Sequence, residues 1–157
     1  MKIAVIGAGA MGSIYASFLS KNNNEVLVID IWEEHLEAIK NNGLRVSGFS
    51  GDNVVRNINV SSNIEDAKGY ELFIIATKAS GVSTVASKLS EITNDNSLIL
   101  TIQNGLGAGE RIAKYMPTNN ILLGVAQGFG AAMKGPGHAH HNNCLLYTSD
   151  AADDTCC

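Results

Sequence analysis

The sequence predicts an α/β fold, a doubly wound parallel sheet, and three observations carry that prediction. Apolar runs without polar alternation recur at 3–6, 25–29, 71–77 and 97–102, the composition of strands covered on both faces. Stretches with helical spacing separate them, so strand and helix alternate along the chain. Each run also ends in glycine or a polar residue, and no internal repeat or low-complexity linker interrupts the order. Crossovers in such a sheet default to the right hand.

Taken in order, Ile3-Ala4-Val5-Ile6 reads as the first strand, and it feeds into Gly7-Ala8-Gly9-Ala10-Met11-Gly12. An amphipathic helix follows, with Ile14, Tyr15, Phe18 and Leu19 apolar, and then a second strand, Glu25-Val26-Leu27-Val28-Ile29, ending in Asp30. Residues 31–40 read as a helix whose Trp32, Leu36 and Ile39 share a face, stopped by Asn41-Asn42-Gly43. Around the turn-rich segment 48–52, Leu44-Arg45-Val46 and residues 54–58 alternate apolar with polar, which predicts a small hairpin or excursion at the sheet edge. Residues 64–67 can form one helical turn, and 71–77 is a buried strand with Lys78 at its carboxyl end. A helix over 80–92 places Val82, Val85, Ala86 and Leu89 on one face. The strand 97–102 ends at Gln103-Asn104-Gly105, a helix over 109–115 stops before Pro117, and 121–124 resumes the sheet.

A chain of 157 residues allows one sizeable core and not two comfortable domains. With 45% hydrophobic and 17% charged residues it reads as soluble and globular. No apolar run approaches the ~20 residues of a membrane span. The stretch after Lys2 is too short and glycine-broken for a secretory leader, so the expected location is cytoplasmic. The net charge is −4, and without Asp150, Asp153 and Asp154 it is −1. With no basic stripe and no aromatic-plus-basic clustering, nucleic acid is not an expected partner. All three cysteines, Cys144, Cys156 and Cys157, lie near the carboxyl end, so 1–143 holds neither a disulfide framework nor a thiolate metal site.

The glycine turn carries the first chemistry. In a dinucleotide-binding βαβ unit the three glycines have separate uses: Gly7 for the tight turn, Gly9 for close approach of backbone to a pyrophosphate, Gly12 for close packing of helix on strand. Ala8, Ala10 and Met11 complete the loop, and the phosphates would rest on the N–H groups and positive dipole end of the following helix. Asp30 lies 18 residues past Gly12, where the adenosine ribose should arrive. Ligands of open α/β sheets bind beyond the carboxyl ends of the strands where strand order reverses. That rule selects 7–12, Asp30, Thr77-Lys78 and Gln103-Asn104-Gly105.

Together, Gly-Ala-Gly-Ala-Met-Gly at 7–12, Ala76-Thr77-Lys78 and Ile102-Gln103-Asn104-Gly105-Leu106-Gly107 resemble the N-terminal domain of the ketopantoate reductase (2-dehydropantoate 2-reductase) family. The resemblance covers 1–143, a Rossmann-type dinucleotide-binding domain, and reaches Gly130-Ala131-Ala132 and Gly137-His138-Ala139-His140-His141. It implies NADP(H) as cofactor and a small-molecule 2-keto acid as substrate, reduced in pantothenate and coenzyme A synthesis, and it allows dimerisation of the full-length enzyme. It also places Lys78 and Asn104 near the nicotinamide. There an ammonium offers compact positive charge to cofactor or substrate oxygens, and an amide can donate to a ribose or substrate oxygen. Asp30 departs from the family pattern. Its carboxylate suits a free ribose 2′-hydroxyl and repels a 2′-phosphate, so it favours NAD(H), and the stretch 30–35 is similar to NAD-dependent D-2-hydroxyacid (D-mandelate type) dehydrogenases. The family's catalytic lysine and glutamate belong to an α-helical C-terminal domain expected to be missing here, which makes the chain a cofactor-binding fragment inactive alone. A non-catalytic nucleotide-sensing module is the alternative of another class. His138, His140 and His141 have no Asp, Glu or Cys within a few residues on the 1–143 side to complete a metal site, so no metal is expected, and the resemblance assigns them to a strand. Trp32 and Phe73 are expected to pack.

Residues 144–157 are expected to be a non-native read-through tail. Cys144-Leu145-Leu146-Tyr147-Thr148-Ser149-Asp150-Ala151-Ala152-Asp153-Asp154 resembles the translation of a transposase adapter used in sequencing libraries. One such event accounts for the clustered cysteines, the local acidic excess and the break in family pattern after Asn143. The nucleotide sequence of an independent clone should therefore diverge from this one at codon 144. A clone that encodes Cys144 to Asp154 and a stop after Cys157 overturns the assignment.

Overall fold

A computed structural model describes residues 1–103, 107–126 and 130–142. Its first half runs β1 (Lys2–Ile6), α1 (Ala10–Ser20), β2 (Glu25–Ile29), α2 (Glu33–Asn42), β3 (Leu44–Gly48), β4 (Asn53–Val55) and β5 (Ile58–Ser61). The second half adds β6 (Leu72–Ile75), α3 (Val82–Ser90), β7 (Leu98–Thr101), α4 (Ala108–Ile112), β8 (Ile121–Leu123), β9 (Gly130–Gly135) and β10 (His138–Asn142). Six strands form one parallel sheet in the order β5-β2-β1-β6-β7-β8. Numbered by their own succession, these strands run 3-2-1-4-5-6, the doubly wound order of dinucleotide-binding domains. Strand order reverses between β1 and β6, whose last residues pair as Ile6 with Ile75.

The period of two along β1 divides the core. Ile3 and Val5 face one side with Ile14, Val26, Val28, Leu36 and Leu44. Ala4 and Ile6 face the other with Leu27, Phe73, Ile75, Val82, Leu89 and Ile99. Both faces are dry, which is why these strands read as continuous apolar runs. β8 ends the sheet among the described residues, with Leu122 and Leu123 exposed.

The segment expected to be an edge hairpin behaves differently. β3 and β4 do pair antiparallel, but they belong to a second sheet of order β4-β3-β10-β9 that packs on α1. Ile58 leaves the hairpin and opens β5, the outer strand of the parallel sheet. The division falls at Arg56-Asn57, where the Asn57 amide donates to the Ser20 carbonyl at 2.9 Å and ties the crossing to the end of α1. The alternating pattern continued through the crossing, so the sequence alone could not mark it. Residues 138–142 form a strand as expected, central in this second sheet. The helix expected over 80–92 is shorter, with a 3₁₀ turn at Ala79–Gly81 before α3, and the helix expected over 109–115 is also shorter, α4 ending at Ile112. Trp32 caps α2 rather than lying within it. Residues 64–67 form a single 3₁₀ turn, capped by the Asn63 side chain.

Among the described residues no helix is long and apolar enough to cross a membrane. Phe73, on the α3 side, is the largest fully buried side chain among the described residues. Phe73→Ala should lower the unfolding free energy by about 3–5 kcal/mol, read from urea denaturation, whereas truncating the exposed Val54 should cost under about 1 kcal/mol.

Candidate functional site

The glycine turn lies at the reversal point, and its geometry follows from contacts a side chain would prevent. Gly7 has φ +99°, and its N–H donates to the Ile29 carbonyl at 2.8 Å. A Cβ on Gly7 would stand 2.8 Å from the Thr77 nitrogen. A Cβ on Gly12 would stand 1.9 Å from the Gly7 carbonyl oxygen, so α1 can approach β1 this closely only without one. At Gly9, by contrast, nothing lies within 4 Å of where a Cβ would be. Gly9 is the N-cap of α1 in extended conformation, with no side-chain cap and no acid in the first turn. The N–H groups that every helix start leaves unbonded therefore face an open side at Ala10, Met11 and Gly12.

Asp30 closes the turn from the end of β2. One carboxylate oxygen accepts from the Ala8 N–H and the other from the Trp32 N–H at 2.9 Å. Behind the loop lies a polar chain inside apolar surroundings. The Gly137 N–H donates to His35 Nδ1 at 2.8 Å, His35 Nε2 meets Ser13 Oγ at 3.2 Å, and Ser13 Oγ donates to the Ala8 carbonyl at 3.0 Å. His35 and Ser13 are both fully buried. Burial pushes the His35 imidazole below its ordinary pKa, and the Asp30 carboxylate partly opposes this. Sequence reasoning passed over both residues. The available signal was a polar side chain on the core-facing side of each helix: Ser13 beside Ile14, and His35 beside Leu36.

Thr77 and Lys78 sit across the reversal point, after β6. The Thr77 hydroxyl oxygen is buried with no hydrogen-bond partner among the described residues. The Gln103 side-chain amide donates to the carbonyls of Ile75 at 2.7 Å and Thr77 at 3.1 Å, fixing the end of β7 to the end of β6, while the Thr101 hydroxyl donates to the Gln103 side-chain oxygen. Two clefts meet at Thr77 and Lys78. One, of about 410 Å³, runs past Gly7, Asp30, Asn63, Ile64 and Val85. The other, of about 290 Å³, is lined by Met11, Ala76, Ile102 and Gln103. Lys78 is exposed and, among the described residues, is the only ionisable side chain lining the second cleft. Asn104 lies outside the described residues, as do 143–157.

The histidines of β10 are engaged elsewhere. Ser47 Oγ lies 2.7 Å from His138 Nε2 and 3.0 Å from His140 Nδ1. His141 Nδ1 lies 3.1 Å from Ser50 Oγ, and its ring meets Phe18 and Phe49 edge-on. Trp32 stacks on His35, with ring centres 4.9 Å apart and planes at 14°.

The arrangement suits a long anionic ligand: an open helix start at its middle, a carboxylate at one end and an ammonium between two clefts. The orphan hydroxyl of Thr77 and the open side of Gly9 are where a dinucleotide would fit. The family model described as ketopantoate reductase PanE/ApbA matches residues 3–148, ending inside the segment expected to be tail. The chain is 36% identical over 141 residues to the 2-dehydropantoate 2-reductase of Lactococcus lactis subsp. lactis (strain IL1403), covering 88% of this chain and 45% of that protein. It is 28% identical to that of Halobacterium salinarum, covering 90% and 46%. Among solved structures it is similar to 2-dehydropantoate 2-reductase from Geobacter metallireducens GS-15, with TM-score 0.84, 28% identity and coverage of 92% and 47%. D-mandelate dehydrogenase with NADH and anilino(oxo)acetate gives TM-score 0.80, 33% identity and coverage of 92% and 46%. The chain spans about half the length of the curated relatives it matches. On this match, and with the doubly wound sheet and glycine turn that accompany it, the chain belongs to the ketopantoate reductase PanE/ApbA family.

Proposed function

We propose that this chain is the nicotinamide-dinucleotide-binding half of an oxidoreductase that reduces 2-dehydropantoate to pantoate with NAD(P)H. The observation that carries the reading is the uncapped start of α1 beside the open side of Gly9, at the point where strand order reverses. The bound dinucleotide supplies a hydride. In the loop Gly7, Ala8, Gly9, Ala10, Met11 and Gly12, the N–H groups of Gly9, Ala10, Met11 and Gly12 face the pyrophosphate, while Gly7 and Ala8, whose N–H groups are held by Ile29 and Asp30, shape the turn. Asp30 faces the adenosine ribose, and Thr77 supplies a hydroxyl to the cofactor. Lys78 and Asn104 orient the nicotinamide end and the substrate oxygens, which lowers the entropy cost of the reactive geometry.

Asp30 favours NAD(H). Its two oxygens each accept one backbone N–H, and a carboxylate has about four lone-pair sites, which leaves capacity for ribose hydroxyls. A 2′-phosphate there would meet a negative charge. The same residue favours the second reading, an NAD-dependent D-2-hydroxyacid dehydrogenase, because the similar D-mandelate dehydrogenase structure holds NADH.

In calorimetric titrations of the 157-residue chain, NADH should bind about tenfold more tightly than NADPH, and Asp30→Asn should narrow that difference by removing the charge. Tighter binding of NADPH by the wild-type chain overturns the assignment of Asp30 to a free ribose hydroxyl.

The chain by itself should not reduce 2-dehydropantoate or other 2-keto acids. Among the described residues Lys78 is alone among ionisable groups in the cleft beside Gln103, and carbonyl reduction needs a positioned proton donor as well as a group that polarises the oxygen. Loss of nicotinamide absorbance that scales with chain concentration and disappears in Lys78→Ala would contradict this.

A further inference from the structure

The buried chain behind the glycine turn has a defined direction of donation. Because the Gly137 N–H donates to His35 Nδ1, the ring proton must sit on Nε2, and His35 therefore donates to Ser13, which in turn donates to the Ala8 carbonyl. Across a trans peptide the carbonyl and the following N–H point in opposite directions. Holding the Ala8 carbonyl inward on Ser13 thus aims the Gly9 N–H outward, toward the side where nothing occupies the space beside Gly9. The Ala8 N–H is meanwhile held by Asp30, so both ends of this residue are fixed from within the protein.

We propose that His35 is a positioning residue for the cofactor: acting through Ser13, it locks the Ala8–Gly9 peptide in the orientation that presents the Gly9 N–H to the pyrophosphate. The proposal rests on the dinucleotide reading given above. The lock also reaches the second sheet, since Gly137 belongs to the turn between β9 and β10 and lies against Ala38 of α2, where a Cβ would come within 2.9 Å of the Ala38 side chain. Contacts distant from the loop therefore bear on its shape. Of the groups around the ring, Ser13 from α1, Gly137 and the stacked Trp32 do not titrate. Asp30 at the end of β2 is the charged group acting on it, and His138, next to Gly137, faces Ser47 instead. A protonated ring could not accept from Gly137.

Two substitutions separate positioning from plain stability. In His35→Asn the side-chain oxygen replaces Nδ1 and can still accept from Gly137, but nothing donates to Ser13. In His35→Gln the terminal amide replaces Nε2 and can still donate to Ser13 while the Gly137 acceptor is lost. All three variants, His35→Asn, His35→Gln and Ser13→Ala, should lower the thermal midpoint. In calorimetry on the 157-residue chain, the Kd for NADH should rise about tenfold in His35→Asn and Ser13→Ala and stay within about twofold of wild type in His35→Gln. Equal losses of affinity in His35→Asn and His35→Gln overturn the proposal, as does unchanged affinity in Ser13→Ala. Should the wild-type chain bind neither NADH nor NADPH, the dinucleotide reading itself falls.

A measurement on the wild-type chain needs no variant to fold. Trp32 is the chain's single tryptophan and lies on the His35 ring, so its emission should be quenched when that ring takes a proton. The midpoint should lie below the ordinary value of 6.5, because burial opposes the charge, and saturating NAD should move it lower still by favouring the locked loop. A midpoint that NAD leaves unmoved counts against coupling between His35 and the cofactor turn.

Discussion

The contact between α1 and the end of β1 at Gly12 is the constraint on which the rest of the structure depends. With the Gly7 carbonyl oxygen 1.9 Å from where a Gly12 side chain would begin, helix and strand can meet only as bare backbone. That approach aims the start of α1 at the reversal point of the sheet and brings Ser13 under the loop. It also sets the height at which α1 receives the second sheet on its other side, where Val46 and Ala139 join the same core as Ile14. A domain built this way gains its binding cleft from helix placement rather than from any one side chain.

Polar groups inside this core act on the same few peptide units. Asp30 takes the amide of Ala8, and Ser13 takes its carbonyl. Asp30 thus has a structural partner on one side and cleft on the other, so a substitution there changes both the loop shape and the charge lining the cleft. Gln103 does comparable work across the reversal point by bridging the carbonyls of Ile75 and Thr77. The loop ends that would surround a ligand are each held from behind by a buried or half-buried side chain, which is the supporting shell that a precise site requires.

The parallel sheet was legible because its strands are covered on both sides and so appear as unbroken apolar runs, and because glycine ends the first of them. The glycine turn was legible for the same local reason: Gly7 and Gly12 answer to contacts within βαβ itself. The second sheet was not, since its pairing of β3 with β10 joins residues about ninety positions apart, and alternation reports a half-buried strand without naming its partner. His35 was hidden by the same limit. Its partners come from α1 and from the turn before β10, so its place beside Leu36 hinted at burial but could not name what it bonds.

The outer strand of the large sheet leaves a different mark on the molecule. β8 is three residues long and pairs with β7 along one side only, while Leu122 and Leu123 remain open to solvent and Val125, just beyond, is 85% exposed. Among the described residues its other side has no paired strand, and no lysine or proline lies within β8 to discourage a second chain. Two copies meeting along these edges would extend the hydrogen-bond ladder and shield the leucines together. Such pairing needs a second chain, so its extent would depend on the concentration of the chain.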